Sequence, residues 1–187
     1  NMAAGAYSFA VGRRAKIGAA HDGTFMFADQ TVADFNSAAA NEFAVRSTGG
    51  VRFITDTGAT SGVTLAAGGS AWSAVSARAA KENFTPVDVI DVLEKVASMP
   101  VEEWNYRAQE DSIRHIGPMA EDFREAFGVG DFVGRITSTD ADGVALAAIQ
   151  GLNQKLEAKQ AEIDRLEAEL AKQKEEDELR DERFASL

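Results

Sequence analysis

Ser76 and Lys81 stand five residues apart in the stretch Ser76-Ala77-Arg78-Ala79-Ala80-Lys81-Glu82-Asn83-Phe84. A hydroxyl and an amine at that distance can act as nucleophile and general base, provided the lysine is neutral at working pH. Its reference pKa near 10.4 would have to fall by about 2 to 3 units, through burial and the nearby cation of Arg78. A regular helix turns through about 500° over five residues and leaves the two side chains on nearly opposite faces. A flat strand also points them apart. Two geometries remain. Either Ala77 to Ala80 curl, or Lys81 reaches a serine of another subunit, which would tie the reaction to assembly. The pair alone is a weak signal, because a serine and a lysine fall at this spacing in most chains.

The elements that must position the pair differ on its two sides. Residues 1–75 are rich in Gly, Ala and Thr and read as short strands and turns. Tyr7 to Val11 alternates, and Asp22-Gly23 before Thr24 to Ala28 is a strong hairpin-turn dipeptide. Glu42 to Arg46 and Val51 to Thr55 flank Ser47-Thr48-Gly49-Gly50 as a second hairpin. Phe25, Phe27, Phe43 and Phe53 read as core packing. Gly58 to Ser70 reads as a loop or narrow stem, and Ala71 to Val75 as the strand leading to Ser76, with Trp72 as an anchor or an interface residue. Large apolar residues are few, so one copy of this region buries too little surface to offset its ordering entropy. Copies of itself are expected to stabilise it.

After the pair, helical patterns take over. Thr85-Pro86-Val87-Asp88 reads as a helix start with Thr85 as N-cap. Val89, Ile90, Leu93, Val96 and Ala97 then form its apolar face before Pro100. Val101 to Tyr106 alternates as a strand, with Ser112 to Ile116 as its hairpin partner. A second helix is expected from about Pro118 to Phe127, with Met119, Phe123, Ala126 and Phe127 inward and Gly128 as its stop. Phe132-Val133 and Arg135-Ile136 are ambiguous. Ser138 to Asp140 can cap a last, long helix. On it Ala145, Ile149, Leu152, Leu156, Ile163, Leu166 and Leu170 recur at spacings of three and four, with Lys159 as a polar interruption. That is a heptad seam, and it needs partner helices. Past Gln173 the seam fails, since Leu179, Phe184 and Leu187 do not continue it, so a coiled coil to about Leu170 with a looser end is expected.

Charge and composition narrow the function. The 187 residues carry 19 Lys and Arg against 30 Asp and Glu, a net charge of -11. So acidic a chain is a poor ligand for nucleic acid or anionic membranes. No apolar run reaches the roughly 18 to 20 residues that span a bilayer, so no membrane insertion is expected. There is no cysteine, and His21 and His115 are far apart, so no metal centre and no cofactor is implied. The N-terminus lacks the basic region and apolar core of a secretory signal. A chain opening on Asn1 reads as part of something longer.

Three ordered motifs resemble a known family. Ser76 to Phe84 is similar to the opening of the intramolecular chaperone domain of phage tail spikes and tail fibres, the endosialidase-type self-cleaving serine peptidases. Arg114-His115-Ile116-Gly117-Pro118-Met119-Ala120-Glu121-Asp122 resembles the central His-Ile-Gly motif. Ala147-Ala148-Ile149-Gln150-Gly151-Leu152-Asn153 resembles the opening of the C-terminal helix. Ala77 departs, standing where the family usually carries Asp, so cleavage competence turns on what that Asp does. Gly5 to Ala15 is also similar to the head repeats of trimeric adhesins, over one repeat or two.

The resemblance implies a mixed α and β chain. Residues 1–75 would be a β-rich trimeric fibre tip or stem, 76–145 the self-cleaving chaperone domain, and 146–187 its coiled-coil helix. It implies a Ser76–Lys81 dyad, attack on the carbonyl of Val75 through an N-to-O acyl shift, ester hydrolysis, and release of the chaperone by cleavage between Val75 and Ser76. His115 could orient a carboxylate or the oxyanion, or be a satisfied structural histidine. The implied partners are two further copies in a homotrimer, the rest of the tail fibre N-terminally, and a host-cell surface receptor. The implied setting is a virion tail fibre assembled in the host bacterial cytoplasm. Two alternatives stay open: a non-cleaving adhesive trimer that binds host-surface glycan or protein, and a hydrolase or lectin acting on glycans in residues 1–75. The carboxylates there, Asp22, Asp29, Asp34, Glu42 and Asp56, show no recognisable pairing, which disfavours catalysis on sugar.

Overall fold

A computed structural model describes residues 1–186. The chain folds as two compact units, Asn1–Phe84 and Thr85–Leu187. It is mixed α and β, with several small sheets and three helices among the described residues, the last of them long.

Six short strands open the first unit: β1 (Met2–Ala3), β2 (Phe9–Gly12), β3 (Ala15–Ile17), β4 (Phe25–Ala28), β5 (Phe35–Asn36) and β6 (Phe43–Arg46). They alternate between two parallel sheets, ordered β1-β3-β5 and β2-β4-β6. Each turn of the chain thus adds one strand to each sheet, making a flat coil. Ala15, Ile17, Met26, Ala28 and Ala44 form the core between the sheets. Arg46 closes the coil's end, its guanidinium donating to the carbonyls of Arg13, Thr31 and Ala33 and meeting Asp29 at 3.3 Å.

Neither expected hairpin forms here. Asp22-Gly23 turns a corner of the coil: Asp22 Oδ1 accepts from the Ala6 N–H at 2.7 Å, and the Gly23 N–H donates to the Ala6 carbonyl. Gly23 has φ +68, so the residues suit a tight turn, but the strands they join, β3 and β4, belong to different sheets. Strand β6 pairs with β4, not with the strand after Ser47 to Gly50. The phenylalanines are also displaced from the expected core. Phe9, Phe25 and Phe43 are in register, 56%, 38% and 68% exposed, and their rings stack outward at 5.3 and 5.1 Å. Phe53 is exposed as well, and Phe27 is half-buried. Strands apolar on both faces give alternation no way to choose the inner one, and the narrow interior takes Ala and Met instead.

The first unit continues into an antiparallel sheet of β7 (Val51–Ile54), β8 (Gly62–Leu65) and β9 (Trp72–Ala74). Part of the expected Gly58 to Ser70 loop is therefore strand. Gly62 has φ +143, and an added Cβ would lie 2.1 Å from the Phe53 carbonyl oxygen, so the sheet closes tightly there.

In the second unit come α1 (Val89–Ser98), β10 (Glu102–Trp104), β11 (His115–Gly117), α2 (Ala120–Phe127) and α3 (Ser138–Ala185). Asp88, not Thr85, caps α1, its Oδ1 accepting from the N–H groups of Ile90 and Asp91 at 3.0 and 3.1 Å. A short carboxylate reaching two free N–H groups outcompetes the Thr-Pro signal upstream. Val92, absent from the expected face, is the buried residue of α1, while Ala97 is exposed. The β10–β11 hairpin and α2 lie close to where the sequence places them, and Gly128 stops α2 with φ +64. Thr137 caps α3, Oγ1 accepting from the Asp140 N–H at 3.1 Å. Helix α1 crosses α3 at Ala148 and Gly151, where a Cβ on Gly151 would lie 2.1 Å from the Val89 carbonyl oxygen. The seam residues Ile149, Leu152, Leu156, Ile163, Leu166 and Leu170 lie exposed along α3. The helix runs on well beyond Leu170, with Lys172–Glu176 and Arg180–Asp177 ion pairs on its surface. Leu187 lies outside the described residues.

Candidate active site

The site grows out of the end of β9. Trp72 pairs with Leu65, and its ring packs at 5.5 Å on Phe53. The last backbone hydrogen bond to the sheet is from the Val75 N–H to the Gly62 carbonyl, at 3.2 Å. The chain leaves the sheet at the next residue, Ser76.

Beyond it, Arg78–Ala80 form one turn of 3-10 helix. The Ala80 N–H donates to the Ala77 carbonyl at 3.0 Å, and the Lys81 N–H to the Arg78 carbonyl at 3.1 Å. A 3-10 turn advances about three residues per revolution, so it folds Lys81 back toward Ser76. Lys81 Nζ lies 2.8 Å from Ser76 Oγ. Of the two geometries open to the sequence, this is the curl within one chain. The hydrogen bond runs from lysine to hydroxyl, and both residues are exposed. General-base work needs the bond reversed, from hydroxyl to a neutral amine.

Ala77 occupies the N-cap of this turn, with φ −64 and ψ 142 and no side-chain capping bond. An Asp in that backbone conformation is a strong cap, its carboxylate accepting from N–H groups two or three residues on. Sequence reasoning missed two neighbours. Asn83 has φ +55, a left-handed conformation that Asn tolerates better than most residues. Next to it, the Phe84 ring lies under the Arg78 guanidinium, 4.1 Å from the ring centroid.

His115 belongs to the second unit. Its Nε2 lies 2.9 Å from Gln109 Oε1, and its ring packs against Trp104 and Tyr106 at 4.9 and 5.3 Å. Those contacts are what a structural histidine makes. His21 Nδ1 meets Ser37 Oγ at 2.5 Å at a corner of the coil.

The five carboxylates of residues 1–75 are all engaged. Asp22 holds the Ala6 N–H, and Glu42 accepts from the Ala38 N–H at 2.8 Å. The hydroxyl and N–H of Thr48, and then Thr31, hold Asp29 far below the ordinary carboxylate range. Lys16 and then Arg14 lower Asp34, and the Thr60 hydroxyl and Ser61 N–H lower Asp56. Carboxyls so held stay ionised, the opposite of a general acid. Among the described residues no cluster of three metal-ligating side chains occurs, and no helix is long and apolar enough to cross a membrane.

Residues 76–130 match the family model described as chaperone of endosialidase. The match spans 55 of the 187 residues and makes that segment similar to this chaperone domain. No curated protein and no solved structure matches the chain. The chaperone match opens on Ser76, the first residue past the last sheet hydrogen bond. Its residues 76–84 cluster with the first unit, and the remainder lies in the second.

Proposed function

We propose that this chain is part of a phage tail fibre or tailspike, and that its chaperone domain brings three copies into register and is then released by cleavage between Val75 and Ser76. The observation that carries this reading is the 2.8 Å contact of Lys81 Nζ with Ser76 Oγ, on the first residue of the chaperone match. Lys81, once neutral, takes the Ser76 hydroxyl proton as Oγ attacks the Val75 carbonyl carbon. The Val75–Ser76 amide bond breaks, and the proton passes to the departing Ser76 amine, leaving an ester. Water then splits the ester into a Val75 carboxylate and the Ser76 hydroxyl. Because the Val75 N–H makes the last sheet bond, this cut removes no hydrogen bond from β7-β8-β9.

The exposed seam of α3 supports assembly, since six large apolar side chains in solvent need partner helices. Domain limits of 1–75, 76–145 and 146–187 are retained as the functional division, with the cleavage point as the first boundary. A virion tail location and a receptor on the host surface follow from the same reading.

A second reading, a trimer that assembles without cleaving, is favoured by Ala77, which leaves the 3-10 turn uncapped. Intact-mass measurement on freshly made chain separates the two. Cleavage gives a fragment ending at Val75 and another beginning at Ser76. A single intact mass over days at neutral pH, in both the natural chain and Ala77→Asp, would leave the non-cleaving trimer.

A further inference from the structure

We propose that Arg78 and Phe84 are positioning residues, which close the loop that holds Lys81 on Ser76. The contact needs an explanation, because the turn between the two residues is held by little. It is a single turn of 3-10 helix with no buried residue and no side-chain cap. Turns of this kind have poor hydrogen-bond geometry and persist when something else fixes their ends. Ala77, Ala79 and Ala80 offer only methyl groups. Lys81 itself is already extended, with φ −131 and ψ 155.

The fixing contact is the one from Arg78 to Phe84. Arg78 opens the turn, Asn83 takes φ +55, and the guanidinium lies 4.1 Å from the Phe84 ring centroid. Lys81 sits inside the closed loop, so fixing residues 78 and 84 limits where its ammonium can reach. The same contact draws the Arg78 cation onto an aromatic face and away from competition for the Ser76 oxygen. An exposed cation–π pair shifts a local equilibrium by about two- to fivefold. Breaking it should therefore slow the reaction without abolishing it. The effect on cleavage rests on the proposed function, whereas the effect on Lys81 does not.

The test uses the full chain with Arg78→Ala, Phe84→Ala, both together, and Phe84→Tyr. One readout is the first-order rate of cleavage at Val75–Ser76, in the natural chain or in Ala77→Asp, whichever cleaves. The other is the rate at which acetic anhydride labels Lys81, normalised to exposed Lys172 and read by peptide mass spectrometry. Each alanine variant is expected to slow cleavage and to raise Lys81 labelling, by about two- to fivefold. The double variant should be no worse than either single one, because each already breaks the contact. Phe84→Tyr, which keeps a π face, should restore both rates, an outcome that general loosening of the loop does not predict. Labelling of Lys81 unchanged in Phe84→Ala, or no rescue by Phe84→Tyr, overturns the proposal. Absence of cleavage in every chain refutes the proteolytic reading alone, and labelling then decides the positioning role.

Discussion

The parallel coil of the first unit and the long helix α3 of the second are held by contacts of opposite range. In the coil, Phe9 pairs with Phe25 and Phe25 with Phe43, so each turn closes only when residues well separated in sequence meet. Its ends are tied by side chains acting over similar distances, such as Arg46 on the Arg13 carbonyl and Asp29 on Thr48. Helix α3 closes its hydrogen bonds every four residues and adds local ion pairs such as Lys159–Glu162 and Arg165–Glu169. Long-range closure is slow and local closure is fast. The helix lacks what the coil has, however: its apolar residues stay in water. The difference teaches that the coil closes on a core of its own, whereas the helix leaves an apolar stripe uncovered. In the proposed trimer the coil would gain proximity and the helix partners. A helical assembly that forms first would supply the coils with a high effective concentration of one another.

Breaking the helix's side of this comparison should have the largest effect. Leu156→Asp with Ile163→Asp would put two unpaired charges per chain into the proposed seam, at about 3 to 5 kcal/mol each. Light scattering should show monomer where the parent gives trimer. A parent that is monomeric at micromolar concentration would remove the need for a seam altogether. Gly151→Ala should act on α1 against α3. Alanine improves helix propensity by about 1 kcal/mol, but its Cβ would meet backbone at Val89, which cannot swing away as a side chain could. Overpacking of this kind costs about 1 to 3 kcal/mol, so the net expectation is a lower Tm for the helical signal at 222 nm.

How far these features could be read from sequence follows the same division. The long helix α3, the α2 stop at Gly128 and the β10–β11 hairpin are legible because their signals lie within a few residues of what they control. The α1 cap lies three residues beyond the expected Thr85, since Asp88 and Thr85 are both good caps and only the N–H groups in reach choose between them. The hairpin signals of the first unit give a parallel coil instead. Asp22-Gly23 specifies a tight turn, but nothing local states whether the strands it joins pair with each other. Met26 inside and Phe25 outside could not be told apart, because both neighbours are apolar. At the site, the spacing of Ser76 and Lys81 left two geometries open, and the curl depends on a 3-10 turn that three alanines do not announce. The Arg78–Phe84 contact depends on a left-handed Asn83, which the sequence permits without requiring.

Two smaller effects sharpen the comparison. Ala77→Asp should cap the 3-10 turn and speed cleavage by about three- to tenfold, the equivalent of roughly 1 kcal/mol for an N-cap. Unchanged processing would show that the turn is already fully formed. For the coil, the expected effect is a pH slope. Thr48 and then Thr31 hold the Asp29 carboxyl far below its unfolded value. The stability it contributes is therefore complete above the unfolded pKa near 3.9 and is lost as pH falls below that value. The denaturant midpoint followed by Trp72 fluorescence, in a Trp104→Phe background, should drop from pH 5 to pH 3. Asp29→Asn should be less stable at pH 7 and shallower below pH 4. Some slope should remain, because Asp34 and Asp56 are shifted the same way.

The central claim is that Ser76 and Lys81 act as one catalytic unit, separate from assembly. The most direct measurement is a cleavage time course at neutral pH, read by intact mass, alongside light scattering on the same samples. It compares the cleaving parent, natural or Ala77→Asp, with Ser76→Ala, Lys81→Ala and the double variant. Both single variants should form trimers that stay uncleaved, and the double variant should match either one, because the pair works as a unit. Full cleavage in Lys81→Ala at neutral pH, or loss of the trimer in both single variants, would contradict the account.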